Sequence, residues 1–140
     1  MSVLRHGIDL VEVRRIASML EEHGSRFIQR CFTEREREYA ESGPRRRAER
    51  YAVRFACKEA VMKALGTGWR SGIRWRDIEV THDSMGRPRL TLSGRCEELA
   101  RELAIVSWEV SLSHTDAYAV ASVLGSGMLG TGEARRERRA

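Results

Sequence analysis

Apolar positions change period along the chain, and the changes mark out its elements. Residues 3–9 (VLRHGID) read as a short strand. From Leu10 to His23 the period is helical, with Val13, Ile16, Met19 and Leu20 on one side, and Gly24 ends the segment. Arg26 to Cys31 adds a further turn or two of helix. Thr33-x-x-Glu36 is a capping-box pattern, so FTEREREYAES has a defined start. Ser42-Gly43-Pro44 breaks that helix, and Pro44 suits the first turn of the next. Pro44 to Leu65 is the longest helix, because Ala48, Tyr51, Ala52, Phe55, Met62 and Leu65 follow the i, i+3, i+4 rule. Gly66-Thr67-Gly68 stops it. It follows a helix rather than leading into one, so it is not a P-loop.

Beyond that loop the period shortens. Residues 73–80 (IRWRDIEV) read as a strand, His82 to Arg87 as a turn, and Arg89 to Leu92 as a partner strand. Ser93 caps a helix running to about Ala104. Val106, Trp108, Val110 and Leu112 alternate with Ser107, Glu109, Ser111 and Ser113, the pattern of a half-buried strand. Residues 117–124 (AYAVASVL) form the last strand, an antiparallel neighbour reached through His114-Thr115-Asp116. Helices mixed with antiparallel hairpins predict an α+β fold: one domain over 1–124, followed by a disordered Gly/Arg-rich tail over 125–140.

Composition narrows the class. The chain has 140 residues, 41% apolar and 32% charged, which suits one globular domain. No apolar run approaches the roughly 18 residues of a spanning helix, and the N-terminus lacks a secretory pattern. Three cysteines without CxxC spacing argue against a disulfide framework or a zinc cage and for a reducing cytoplasm. The net charge of +5 favours an acidic or polyanionic partner. Only two of the 25 basic residues other than histidine are lysines, Lys58 and Lys63, and both lie in KEAVMK. A compact cation, rather than a planar fork, is what those positions would require.

Three residues carry candidate chemistry. Glu59 shares a helix face with Ala48, Ala52, Phe55 and Met62, and a carboxylate in an apolar stripe must be paired, protonated or bound to a cation. Lys63, one turn on, is one partner for it; metal ligation or general-base work is the other reading. Asp9 sits at a strand end between apolar neighbours, and Asp9-x-x-Glu12 is also a capping box, so it is either a helix cap or a functional carboxylate. Together, two carboxylates with Lys58, Lys63 and Arg54 nearby compose a magnesium–phosphate site. His114, at the turn leaving an alternating strand, is either a surface histidine or a phosphate contact or proton acceptor. His6, His23 and His82 share no ligand-like spacing.

The segments GIDLVEVRRI, FTEREREY, RFACKEAVMKALGTG, WRDIEV, the Gly86-Arg87-Pro88 turn and SLSHT occur in the order found in holo-acyl-carrier-protein synthases, and residues 5–124 resemble that family. These are short 4'-phosphopantetheinyl transferases. The resemblance implies an antiparallel sheet packed with one long and several shorter helices. It also implies transfer of the 4'-phosphopantetheine arm of coenzyme A to a serine of apo acyl carrier protein, releasing adenosine 3',5'-bisphosphate. By the same resemblance Asp9 and Glu59 hold Mg²⁺. Lys63, Arg54 and Lys58 stand near the coenzyme's phosphates. Gly66, Pro88, Ser113 and His114 line the coenzyme. The assembly is a homotrimer with sites at subunit interfaces. The serine proton passes to His114, to Glu59 through a metal-held water, or to solvent. Arg14, Arg15 and Arg26 with Met19 and Phe27 compose a basic and apolar face for the acidic carrier protein. Two other readings are a basic nucleic-acid-binding module, which the low aromatic content of 6% disfavours, and a magnesium-dependent phosphohydrolase using the same carboxylates.

Overall fold

A computed structural model of the chain describes residues 2–66 and 72–128. In chain order the elements are β1 (Ser2–Glu12), α1 (Val13–Cys31), α2 (Glu34–Glu41), α3 (Arg47–Leu65), β2 (Ile78–His82), β3 (Pro88–Leu92), α4 (Gly94–Glu102), β4 (Ser107–His114) and β5 (Tyr118–Met128). Single 3₁₀ turns, Pro44–Arg46 and Trp75–Asp77, precede α3 and β2. The architecture is α+β. One antiparallel sheet has the order β1-β5-β4, and a separate antiparallel hairpin joins β2 to β3.

α3 is the spine. Its residues are buried almost all round, from Tyr51 to Leu65, because it lies across the inner face of the large sheet with α1, α2 and β2 covering its other sides. β1 turns its odd-numbered residues inwards and its even-numbered residues outwards. Gly7 is where sheet and helix meet most closely. A Cβ there would stand 1.8 Å from the Ala60 carbonyl oxygen, so only glycine lets β1 and α3 approach this far.

The pattern-based expectations hold in most places and shift in five. The capping box at Thr33 forms: its hydroxyl accepts from Glu36 N at 3.3 Å, and Glu36 Oε1 accepts from Thr33 N at 2.9 Å. Asp9, by contrast, caps nothing. β1 runs on to Glu12, which is the N-cap of α1 without a side-chain bond, so Asp9 is a strand residue. α1 does not end at Gly24 but bends there (φ 44°, ψ −117°) and continues to Cys31. Residues 73–80 split into a 3₁₀ turn and a strand, because Trp75 and Ile78, three apart, both enter the core. Ser93 stands at the N-cap of α4, but its side chain makes no cap bond. β5 continues to Met128, four residues past the expected domain end at 124. Gly125 packs against the Trp108 ring, and a Cβ at Gly127 would meet the Ala104 carbonyl at 1.8 Å, so these glycines serve a closely packed strand rather than a tail. The expected tail from 129 and the loop residues Thr67 and Gly68 lie outside the described residues.

Candidate active site

Close contact at Gly7 brings two acids together. Asp9 follows two residues later on the same inward face and is 9% exposed. Glu59 directly precedes Ala60, the residue against which Gly7 packs, and is half-buried. Burial and then the charge of Asp9 push the Glu59 carboxyl above its ordinary range, while Arg15 and Lys63 oppose the shift. The i, i+4 pairing of Glu59 with Lys63 is replaced by a pairing across elements. Lys63 Nζ donates to Asp9 Oδ1 at 2.9 Å and to the Ile8 carbonyl at 3.0 Å. Two adjoining carboxylates, one of them made harder to ionise by the other, are a donor set that a divalent cation would relieve. Among the described residues no group of three His, Cys, Asp or Glu is placed to hold a metal ion. Magnesium typically takes one or two carboxylates and completes its shell with phosphate and water.

A second feature lies at the other end of α3. A cleft of about 350 Å³ opens between the first turns of α3, the β2–β3 hairpin and the end of β4. Arg46, Arg50 and Arg54 line its floor, His82 and Pro88 one wall, and His114 the other. Arg54 is 2% exposed. Its guanidinium lies 4.3 Å above the Tyr39 ring, Nη1 donates to the Arg50 carbonyl at 3.3 Å, and Nη2 meets His82 Nδ1 at 3.3 Å. Its Nε finds no hydrogen-bond partner. Burial and then the Arg54 charge push His82 below the ordinary histidine range, which keeps the imidazole neutral and able to accept that bond. His114 Nδ1 lies 3.7 Å from Glu49 Oε2. Three arginines on one cleft can neutralise a phosphorylated ligand.

The structure thus groups Asp9, Glu59 and Lys63 in one place and Arg54, Pro88 and His114 in another. Arg50 and Lys63 are thirteen residues apart, about 20 Å along the helix. Gly66 caps α3 with φ 77°. Ser113, next to His114 near the end of β4, does not line the cleft. Lys58 is a correction. It is fully buried, and its ammonium is engaged by Glu36 at 2.7 Å, the Trp75 carbonyl at 3.1 Å and the Ile78 carbonyl, so no donor is left for a phosphate. Phe27 is another. It packs edge-on against Phe32 and beside Phe55 in the core, while Arg14, Arg15 and Arg26 are exposed and Met19 is half-buried. Tyr39, Arg46, Glu49, Arg50 and His82 were not legible as site residues. The signal for three of the cleft's cations was there, since positions 46, 50 and 54 recur at steps of four on one helix face.

Residues 5–123 match the family described as the 4'-phosphopantetheinyl transferase superfamily. A holo-[acyl-carrier-protein] synthase of Geobacter sulfurreducens is 46% identical over 118 residues, covering 84% of this chain and 93% of that protein. One from Gloeobacter violaceus is 48% identical over 119 residues, covering 85% and 89%. Among solved structures, a holo-(acyl-carrier-protein) synthase from Bacillus anthracis in complex with CoA (3',5'-ADP) superimposes with a TM-score of 0.74 at 35% identity, covering 91% of this chain and 100% of that one.

Proposed function

The chain belongs to the 4'-phosphopantetheinyl transferase superfamily, and on that premise we propose how its residues divide the work of the reaction. The enzyme transfers the 4'-phosphopantetheine arm of coenzyme A to a serine of apo acyl carrier protein and releases adenosine 3',5'-bisphosphate. The carrier serine oxygen bonds to the phosphorus that bears pantetheine. The bond from that phosphorus to the nucleotide's phosphate oxygen breaks, and the electron pair leaves with the nucleotide. Such transfers depend on positioning and on charge neutralisation more than on covalent chemistry by the protein.

Asp9 and Glu59 would hold a magnesium ion, which when bound supplies Lewis-acid neutralisation of the pyrophosphate. Their adjacency across the Gly7 contact is the observation that carries this assignment. Lys63, tied to Asp9, offsets charge building on the leaving phosphate. The arginine-lined cleft takes the nucleotide end, with Arg46, Arg50 and Arg54 lining it and His114 near the pyrophosphate. The serine proton passes through water to Glu59. Arg14, Arg15, Arg26 and Met19 present the carrier-protein face on α1.

The assembly is a homotrimer with the sites at subunit interfaces. Support comes from the outer face of the large sheet, where Leu4 (70% exposed), Ile8 (53%) and Leu10 (63%) stand beside Leu124 with no layer of the described residues over them. Exposed apolar side chains grouped around the His6–Ser122 hydrogen bond mark an association surface. Cys31, Cys57 and Cys96 are free and buried, which supports the reading of a reducing cytoplasm, and no helix among the described residues is long and apolar enough to cross a membrane.

Isothermal titration of coenzyme A with and without Mg²⁺ tests the metal assignment. Tighter coenzyme uptake with Mg²⁺ in the native enzyme, lost in Asp9→Asn, is the expected result. Uptake indifferent to the ion would reject it. Release of phosphopantetheine into water with no modified carrier protein would instead favour a hydrolase.

A further inference from the structure

We propose that the buried Glu36–Lys58 pair is a positioning device that sets the shape of the nucleotide cleft. The inference rests on the reading of that cleft as the nucleotide site.

Both side chains are cut off from solvent. Lys58 donates to Glu36 Oε1 at 2.7 Å, to the Trp75 carbonyl at 3.1 Å and to the Ile78 carbonyl, which uses all three of its hydrogens. Glu36 Oε1 also accepts from Thr33 N at 2.9 Å, and Oε2 accepts from Val80 N at 3.0 Å. Thr33 in turn donates its hydroxyl to Glu79 Oε2 at 2.5 Å. One polar network therefore joins the start of α2, the middle of α3 and the start of β2.

Each of those three elements runs directly from the network into the cleft wall. Tyr39 lies one turn after Glu36 on α2, Arg54 one turn before Lys58 on α3, and His82 two residues after Val80 on β2. These three are in mutual contact. Arg54 stacks over Tyr39 at 4.3 Å, the Tyr39 and His82 rings are 5.0 Å apart, and Arg54 Nη2 meets His82 Nδ1 at 3.3 Å. Buried ion pairs are seldom the most stable way to fill a core, since apolar residues of equal volume serve as well or better. What a directed network adds is geometry, because hydrogen bonds fix rotation and register where greasy contacts allow sliding. An apolar substitute would leave α2 and the hairpin free to shift against α3 by fractions of an ångström. That shift would move Tyr39, Arg54 and His82 apart.

The test uses the full-length enzyme and compares Glu36→Leu/Lys58→Met, which removes both charges together, with Arg54→Ala, which probes the cleft directly. Coenzyme A affinity is measured by calorimetry, and the KM for apo carrier protein is measured at saturating coenzyme. The double variant is expected to fold and to raise the Kd for coenzyme A about tenfold, with the carrier-protein KM within about twofold of native. A double variant with native coenzyme affinity, beside an Arg54→Ala variant that loses it, would overturn the positioning role alone. Unchanged affinity in Arg54→Ala would overturn the cleft reading, and the inference with it. If the double variant does not fold, Glu36→Gln takes its place. That change keeps the size but sets an amide donor against a donor, and it should weaken coenzyme binding about threefold. Native affinity in a folded Glu36→Gln would also overturn the proposal.

Discussion

Lys58 and Lys63 lie five positions apart and have opposite surroundings. Lys58 sits without exposure among three acceptors, where a compact three-donor ammonium fits and a planar guanidinium would not. Lys63 is half-exposed and holds Asp9. The sparing use of lysine in the sequence therefore pointed to real requirements, but only one of the two stands in the candidate site itself. Burial separates them, and burial depends on what α2 and β2 place over the helix, which no local pattern encodes. Lys58→Met alone should cost about 3–5 kcal/mol, because it strands Glu36 as a lone buried charge, and urea denaturation would read it. A loss below 1 kcal/mol would mean that the pair is not isolated from water. Glu59 was legible for the opposite reason. An acid in an apolar helix stripe stands out in the sequence whatever covers it, whereas the partner that Lys63 chose, Asp9, lies 54 residues away.

At the scale of elements, the site exists because β1 and α3 touch at a glycine. Gly7→Ala is expected to destabilise the protein by about 1–3 kcal/mol, since the added methyl would overlap the Ala60 carbonyl, and to part Asp9 from Glu59. Transfer activity should fall further than stability alone accounts for, when assayed below the midpoint of thermal unfolding. A stable variant of normal activity would deny that this contact builds the site. Elements with their own chemistry were readable in advance: the Thr33 box, the alternating β4 and the apolar stripe of α3. Those set by tertiary contact were not. The extension of β1 through Asp9 to Glu12 depends on pairing with β5 as far as Tyr118, and the extension of β5 to Met128 depends on space beside Ala104 and Trp108. The cleft is assembled from α2, α3, a hairpin and β4, so His82, isolated in sequence, acquires meaning only beside Arg54 and Tyr39.

At the scale of the whole molecule, two surfaces make separate claims. Ile8→Glu places a charge in the middle of the exposed sheet face, and light scattering should then report monomers instead of the proposed trimers, with transfer reduced accordingly. A trimer that survives this change would move the interface elsewhere. On the proposed carrier face, the exposed arginines of α1 would steer an acidic partner, so Arg14→Glu should raise the KM for carrier protein about tenfold and leave coenzyme affinity unchanged. Equal effects on both substrates would count against docking on α1. Asp9 and Glu59 are proposed to hold a divalent ion jointly for the transfer. Intact-mass spectrometry of apo carrier protein, incubated with coenzyme A and Mg²⁺, addresses it most directly. Native enzyme should convert the carrier to a single phosphopantetheine adduct, while Glu59→Gln, or native enzyme with a chelator, should slow conversion by about 10²–10³-fold. Conversion at the native rate under either of those last two conditions would contradict it.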